Sequence, residues 1–118
     1  MTMDILDELN ALVTTLRDAG VDAYLDPRDL NPPCAWVVAR NFTVCQTIGG
    51  SGEMQVEVYL IVPDLGYEQD CLQLNALLDR ALEVIQPDEP VSLSEQVGIP
   101  GVTSPLPAYQ ITVNIPTG

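Results

Sequence analysis

The sequence predicts an α+β fold in which two helices pack on one face of a mostly antiparallel sheet of about five to six strands. Residues 3–19 and 67–85 carry apolar side chains at the three- and four-residue spacings of amphipathic helices. Other segments alternate apolar and polar residues, as strands do. The order of a helix, three or four strands, a helix and two strands favours a layered α+β arrangement. We expect a single domain over residues 1–118, with no internal repeat.

The first helix is predicted over residues 3–19. Acidic residues in its first turns suit the positive end of the helix dipole, Arg17 lies in its last turn, and Gly20 supplies a left-handed stop. Its apolar stripe consists of Ile5, Leu6, Leu9, Leu12, Val13 and Leu16.

A proline-rich connector, residues 26–33, joins a short predicted strand over residues 21–25 to a run over residues 34–39 that is apolar on both faces. The pair Asp26-Pro27 starts a turn, and the two prolines at the end of the connector hold the chain extended. The run after it belongs in the middle of a sheet. We interpret the connector as a rigid element that presents a surface and not as a reactive site.

Two further strands and a turn are predicted before the second helix. Residues 42–48 form a weaker strand, and residues 54–62 alternate so that one face is core while the other is mostly wet or at a contact. Between them we expect a mobile hairpin tip, which consists of Gly49, Gly50, Ser51 and Gly52.

The second helix is predicted over residues 67–85 and is followed by two strands, over residues 91–97 and 109–115. Residues 98–107 hold three prolines and two glycines and are interpreted as a long surface loop. The core stripe of the helix consists of Cys71, Leu74, Leu78, Ala81 and Ile85.

The chain is strongly acidic, with a net charge of −13 and no His. This charge repels a phosphate backbone, so direct DNA binding is not expected. The apolar fraction of 47% is that of a folded body, and acidity can serve solubility alone. Without His, no Ser/His or Cys/His nucleophile pair can be assembled, and we expect no enzyme activity and no cofactor.

The cysteines and the carboxylates give little indication of a reactive site or a metal site. The odd set Cys34, Cys45 and Cys71 has no CxxC spacing, which indicates reduced, buried thiols in a reducing cytosol and no metal site. The carboxylates of Glu53 and Glu57 share a strand face, but their backbones lie ~13 Å apart, too far for a paired acid and base.

An acidic cluster in and beside the connector resembles a set of calcium ligands, but its spacing fails the EF-hand pattern. A turn in which Asp26 and Asp29 bond to local backbone amides is favoured, with an adventitious divalent site as the alternative. The cluster consists of Asp22, Asp26, Asp29 and Asn31. The glycine run lacks the Lys and Ser or Thr of a phosphate-binding loop.

Trp36 is the only tryptophan and is predicted to be core, with an interface anchor as the alternative. Arg28 and Arg40 flank its strand and can pair with carboxylates within the chain or across a subunit boundary. The longest wholly apolar run, residues 34–39, is far too short for a membrane span, and the acidic start of the chain is unlike a signal peptide.

Three parts of the chain resemble the tail terminator proteins of long-tailed bacteriophages that infect Actinobacteria. They are DAGV at residues 18–21, AYLDPRDLNPPCAWV at residues 23–37, and ALLD at residues 76–79 with Pro87-Asp88 beyond it. The second part is the specific one. The resemblance implies a structural virion protein, assembled in the host cytoplasm and located in the tail and neck, with no catalytic residues.

The resemblance further implies a ring of six copies on the last ring of the tail tube, where it stops polymerisation and joins the head completion, or stopper, protein. DNA would pass through its acidic channel without specific binding, and salt or Mg²⁺ would aid assembly. The expected partners are thus a second copy, the tail tube protein and the stopper protein, with no membrane. The candidate interface residues are Asp26, Arg28, Asp29, Asn31, Arg40, Gly49, Gly50, Ser51, Gly52, Glu53, Gly101 and Thr103.

Three other functions stay open at this point. The chain could itself be a head completion or stopper protein, which shares small size and acidity. It could be an acidic inhibitor that imitates DNA, as a charge of −13 allows. A small enzyme that uses carboxylates is the third.

Overall fold

The computed structural model describes residues 5–44, 52–100 and 103–117, and its helices and strands confirm the predicted α+β class. The described sheet has five strands in the order β1-β2-β3-β5-β4, and all neighbours are antiparallel except β1 and β2. In chain order the elements are α1 (Ile5–Asp18), β1 (Ala23–Tyr24), a 3-10 turn (Pro27–Asp29), β2 (Cys34–Val44), β3 (Gly52–Ile61), α2 (Tyr67–Leu82), β4 (Ser92–Val97) and β5 (Leu106–Thr117).

Both helices pack on the same face of the sheet, as predicted, and together they bury the main core. The apolar face of β3 alternates as the sequence indicates, from Met54 to Leu60. Among the predicted stripe residues, Leu6 is 58% exposed, and Leu9, Cys71 and Leu78 are only partly buried. The buried apolar residues from the helices are Leu12, Val13, Leu16, Leu74, Leu77 and Ala81.

Helix α1 ends at the predicted glycine. Gly20 has a φ of +91°, and its amide donates to the Arg17 carbonyl at 3.0 Å while the Val21 amide donates to the Leu16 carbonyl at 3.0 Å. These two bonds satisfy carbonyls that the last turn would leave without partners, and the left-handed residue between them is one that Gly adopts without steric cost. The chain therefore turns at once from α1 into β1.

The segment predicted as two strands, over residues 34–39 and 42–48, is one strand, β2, with an irregularity in its pairing between Ala39 and Asn41. A bulge inserts an extra residue without ending a strand, which explains why the apolar pattern breaks at this point while the strand continues. Residues 45–51 lie outside the described residues. The predicted strand over residues 21–25 is reduced to β1, which pairs in parallel with Ala35 and Trp36.

The second face of the sheet carries a smaller core that the sequence did not predict. Tyr59 and Ile61 are buried there within the chain, whereas the sequence predicts that this face of β3 is mostly wet or at a contact. Leu30 of the connector and Ile99, from the predicted surface loop, cover this end of the sheet. The interpretation of residues 98–107 as a surface loop is thus wrong at Ile99, which is 7% exposed, and β5 begins already at Leu106.

The outer edge of β5 is paired in two different ways. Strand β4 pairs with its first half, between Leu106 and Gln110. Beyond that point the edge is bonded by Asp88. The Asp88 amide donates to the Thr112 carbonyl at 2.9 Å, and the Asp88 carboxylate accepts from the Asn114 amide at 2.6 Å. A single acidic residue thus satisfies edge groups that would otherwise need a strand or water.

The molecule is elongated along the strands, with extents of 52 × 27 × 24 Å. The twelve residues of β5 supply ~40 Å of this length, because each strand residue adds ~3.3 Å. Neither helix in the part of the chain that the structure describes is long and apolar enough to span a membrane.

Candidate functional site

The connector begins with a turn that Asp26 caps. The Asp26 carboxylate accepts a hydrogen bond from the Arg28 amide at 3.0 Å, and the Asp29 amide donates to the Asp26 carbonyl at 3.0 Å. Pro27 fits the first position of the turn because its fixed φ suits helical geometry and it has no amide to leave unpaired. The predicted capped turn is therefore confirmed for the Asp26 carboxylate, whereas Asp29 takes part in the turn through its backbone amide.

The Arg28 guanidinium folds back onto the same carboxylate, with its Nη2 2.9 Å from Asp26 Oδ2. Hydrogen bonds from Arg28 lower the pKa of Asp26, and the bond to Asp26 raises the pKa of Arg28. The Arg28 side chain is nevertheless 80% exposed. A pair this open to water adds little stability, so Arg28 stays available to a partner.

Two contacts hold the connector against the sheet. The Trp36 indole Nε1 donates to the Leu25 carbonyl at 3.1 Å, and the Leu30 side chain is buried on the second face. The connector ends in a cis peptide bond between Pro32 and Pro33. Trp36 itself is half-buried, whereas the sequence predicts a core position. It lies on the face of the sheet without helices, and its indole N–H donates to the start of the connector.

Beyond Trp36, this face carries a hydrogen-bonded polar network that spans three strands. We call the surface formed by Trp36, Val38, Arg40, Glu57, Tyr59 and Gln110 the open sheet face. The rings of Trp36 and Tyr59, which are paired across β2 and β3, have centroids 5.7 Å apart. The connector is thereby linked through Trp36 to the polar network.

Glu57 is the centre of the network. Its carboxylate accepts from Arg40 Nε at 2.6 Å, from the Tyr59 hydroxyl at 3.0 Å and from the side-chain amide of Gln110. The Tyr59 hydroxyl in turn accepts from Arg40 Nη2 at 3.0 Å. The bonds to Tyr59 and Glu57 raise the pKa of Arg40, whereas burial is the main cause that raises the pKa of Tyr59.

These hydrogen bonds hold the Glu57 side chain in a fixed position. Both carboxylate oxygens of Glu57 are engaged by donors, which leaves the carboxylate poorly placed to take a proton from a substrate. Burial raises the pKa of the Cys34 thiol to about 11, so the reactive thiolate is scarce near neutral pH. Within residues 5–44, 52–100 and 103–117, no three His, Cys, Asp or Glu side chains group as metal ligands would.

The structure brings only some of the candidate interface residues to one place. The structure links the connector to Arg40, through Trp36 and Tyr59. It does not bring Glu53 to the same place, because six strand residues put Glu53 ~20 Å from Tyr59. Asp29, Asn31 and Thr103 are exposed, and Gly52 is the first residue of β3. Gly49, Gly50, Ser51 and Gly101 lie outside the described residues.

All four arginines of the chain have partners within it. Arg17 donates to the Ala23 carbonyl at 3.0 Å and lies over the Tyr24 ring, and Arg80 donates to the Gly20 carbonyl at 3.4 Å. The other two bind Asp26 and Glu57. For Arg28 and Arg40, the structure thus provides the pairing within the chain that the sequence left open. The acidic surface keeps most of its excess charge.

Sequence reasoning missed Glu57, Tyr59 and Gln110 as members of one network. The alternation in β3 puts Glu57 and Tyr59 on one face, which was a usable signal. Their partner Arg40 lies at the irregularity in β2, where the pairing register cannot be read from a two-residue period. Compared with models of known protein families and with curated proteins, the chain matches none.

Proposed function

We propose that this chain is a structural virion protein that forms a ring on the end of a tail tube, stops tube polymerisation and joins the tail to the head completion proteins. The observation that carries the proposal is the fixed shape of the connector. The segment that resembles tail terminators, residues 23–37, is held by the Asp26 cap, the buried Leu30 and the bond from Trp36 to Leu25. A rigid, exposed segment is suited to a repeated contact, because little order is lost when it binds.

The contact between copies would use the connector together with the open sheet face. These surfaces are continuous through Trp36 and Tyr59. They present Arg28 and Arg40, whose side chains are 80% and 45% exposed despite their partners within the chain. On a protein of charge −13, these guanidinium groups would offset part of the repulsion between neighbouring acidic copies.

The same acidity suits a ring through which DNA passes. Several copies would surround the channel with negative potential, which keeps the phosphate backbone from binding to the wall. That potential also opposes assembly, and it is screened over ~8 Å at physiological ionic strength. Ring formation should therefore increase with salt or Mg²⁺.

The test is native mass across a concentration series, with and without Mg²⁺, with negative-stain imaging of large species. We expect a hexamer with a central hole that caps purified tail tubes. The double variant Arg28→Glu, Arg40→Glu should assemble poorly, whereas Arg80→Glu, a charge reversal at an exposed arginine on α2, should assemble more readily than the double variant. Equal assembly of all three proteins would contradict the use of these arginines between copies.

Particles that lack the protein distinguish a terminator from the neighbouring stopper. Loss of a terminator should leave heads without tails and overlong tubes. Normal-length tubes in such particles would instead assign the chain to the head completion proteins.

An acidic inhibitor that imitates DNA is a second candidate, and it is favoured by the binding of all four arginines within the chain. Such a surface presents acidic groups with little compensating positive charge. This function requires a monomer or dimer that binds a basic partner, with an affinity that falls steeply as salt rises. A pull-down from host lysate that recovers no basic nuclease or repressor would exclude it.

A further inference from the structure

Exposed apolar side chains concentrate at the start of α2 and on the neighbouring edge strand, β4. Tyr67 is 83% exposed, and Leu65, Leu72 and Leu93 are each at least 60% exposed. Large apolar side chains in contact with water on this scale, grouped in one place, are typical of an interaction site. This region lies on the helical face, away from the connector and the open sheet face.

Three of these side chains, Tyr67, Leu72 and Leu93, line a groove between α2 and β4. Two adjoining hollows share Tyr67, Cys71 and Tyr109, so they form one continuous depression. Leu72 lines one hollow, and Leu93 lines the other. We call this depression the β4 groove and define it by Tyr67, Cys71, Leu72, Leu93, Gln96 and Tyr109.

The floor of the groove ends at an unpaired strand edge. β4 is the last strand in the sheet order and pairs only with β5 among the described strands. Its outer side therefore offers backbone donors and acceptors to an added strand. Apolar pockets beside a free edge are the combination by which proteins bind extended peptides.

The charge of the groove indicates what kind of segment fits it. Glu68 and Asp70 line it, and the four arginines are bound elsewhere. A second copy would bring its own charge of −13 against these acids. A basic segment would instead find charge complementarity.

The two faces of β4 also differ: one is apolar, and the other carries an acid. Leu93 lies in the groove on the helical face, whereas the Ser92 and Glu95 side chains bond to each other at 2.9 Å. Ser92 is paired with Gln110 of the open sheet face, and Glu95 with Ala108 of the smaller core, so both lie on the opposite face. Alternate residues of an added strand would thus meet apolar side chains on one face and an acid on the other.

We infer that the β4 groove binds an extended segment of a different protein, in which apolar and basic residues alternate, by adding it as a strand to the outer edge of β4. The inference deepens the proposed function, on which it rests for the partner's being a neighbour in the virion. The chemistry of the segment is argued from the groove alone. The groove is thus a docking site for another protein, separate from the contact between copies.

The test begins with peptide display against the full-length chain, using random peptides of about twelve residues, long enough to cover β4. We expect selected sequences to alternate Val, Ile, Leu or Phe with Lys or Arg. Amide shifts in ¹⁵N-labelled protein should then concentrate in β4 and in the first half of α2. Selection of no binder, of non-basic binders, or of binders that shift the connector and open sheet face would each overturn the inference.

Two controls separate strand addition from charge attraction. A selected peptide with alternate backbone amides methylated keeps its charge but cannot form the edge hydrogen bonds, and it should bind at least about tenfold more weakly. Leu93→Ser should also weaken binding about tenfold, whereas Leu6→Ser should not. These leucines are matched, with exposures of 60% and 58%, and Leu6 lies on α1. Equal binding by both variants and by the methylated peptide would overturn the inference.

Native mass distinguishes this inference from the proposed ring. Leu93→Ser should form the same assembly as the wild type, because the groove does not join copies. A ring that binds no peptide would defeat the inference and leave the ring intact. Peptide binding by a permanent monomer would defeat the ring alone. A smaller assembly in Leu93→Ser would show that the groove's occupant is a second copy, and would overturn the inference.

Discussion

The Trp36 indole nitrogen donates a hydrogen bond to the Leu25 carbonyl oxygen at 3.1 Å, and this bond fastens the start of the connector to β2. The two residues are eleven positions apart, so the bond closes a loop that contains the whole turn. One of the contacts that hold the exposed residues of the connector therefore comes from a side chain outside it.

Replacement of Trp36 by Phe should loosen the connector. Phe retains an aromatic ring beside Tyr59 but has no donor, so the Leu25 carbonyl loses its partner, and we expect a loss of about 1 to 2 kcal/mol in the free energy of unfolding. Urea titration measures this change. Limited trypsin digestion should show faster cleavage after Arg28, inside the connector, while cleavage after Arg80 changes little. An unchanged rate after Arg28 would show that Trp36 does not hold the turn.

A double-mutant cycle on Arg40→Gln and Glu57→Gln should give a coupling free energy of about 0.5 to 1 kcal/mol. The Glu57 side chain is only 14% exposed, but Arg40 is 45% exposed, and water screens the pair from that side. The coupling should decrease at high salt. The same cycle on Asp26 and Arg28, whose partners are more exposed, should give a smaller value. The reverse order of the two pairs would contradict the role assigned to Glu57.

Asp88→Ala should destabilise the far half of β5. The Asn114 amide loses an ionised acceptor, for which we expect about 1 to 2 kcal/mol, while the backbone bond from Asp88 to Thr112 is retained. Amide hydrogen exchange should show faster exchange at Asn114. Asp88→Asn keeps an acceptor and should cost less, and Glu89→Ala, next along the chain, serves as the control. Equal effects of Asp88→Ala and Glu89→Ala would refute the pairing.

Removal of Cys34 should reduce the loss of stability at alkaline pH. Burial raises the pKa of the folded thiol from 9.0 to about 11, so on raising the pH the unfolded chain ionises first. The stabilising contribution is complete below about pH 9 and is lost as the pH rises toward 11. Urea titrations from about pH 8 to 11 should show a steeper decline in wild type than in Cys34→Ala. Parallel declines would mean that the thiol does not couple to folding. At about pH 8, iodoacetamide should label Cys34 far more slowly in the native protein than in the unfolded chain.

Local patterns in the sequence predicted most of the fold. The spacing of apolar residues in α1 and α2, the alternation in β3 and β5, and the stop at Gly20 act within a few residues. Each of these features is found, although α2 ends three residues earlier and β5 begins three residues earlier than predicted. The errors in the predicted bounds of β1 and β2 have one physical cause. A bulge in β2 and the short pairing of β1 are decided by neighbours in the sheet, which a local pattern does not contain.

The sequence by itself determined the α+β class, the capped turn at Asp26 and the acidic charge, because these follow from local spacing, short-range bonds and composition. Only the tertiary structure decided that Trp36 holds the connector and that Glu57 gathers Arg40, Tyr59 and Gln110. It also decided that α2 and β4 enclose an apolar groove. Each of these depends on contacts between residues far apart in the chain, and strand order and register bring them together.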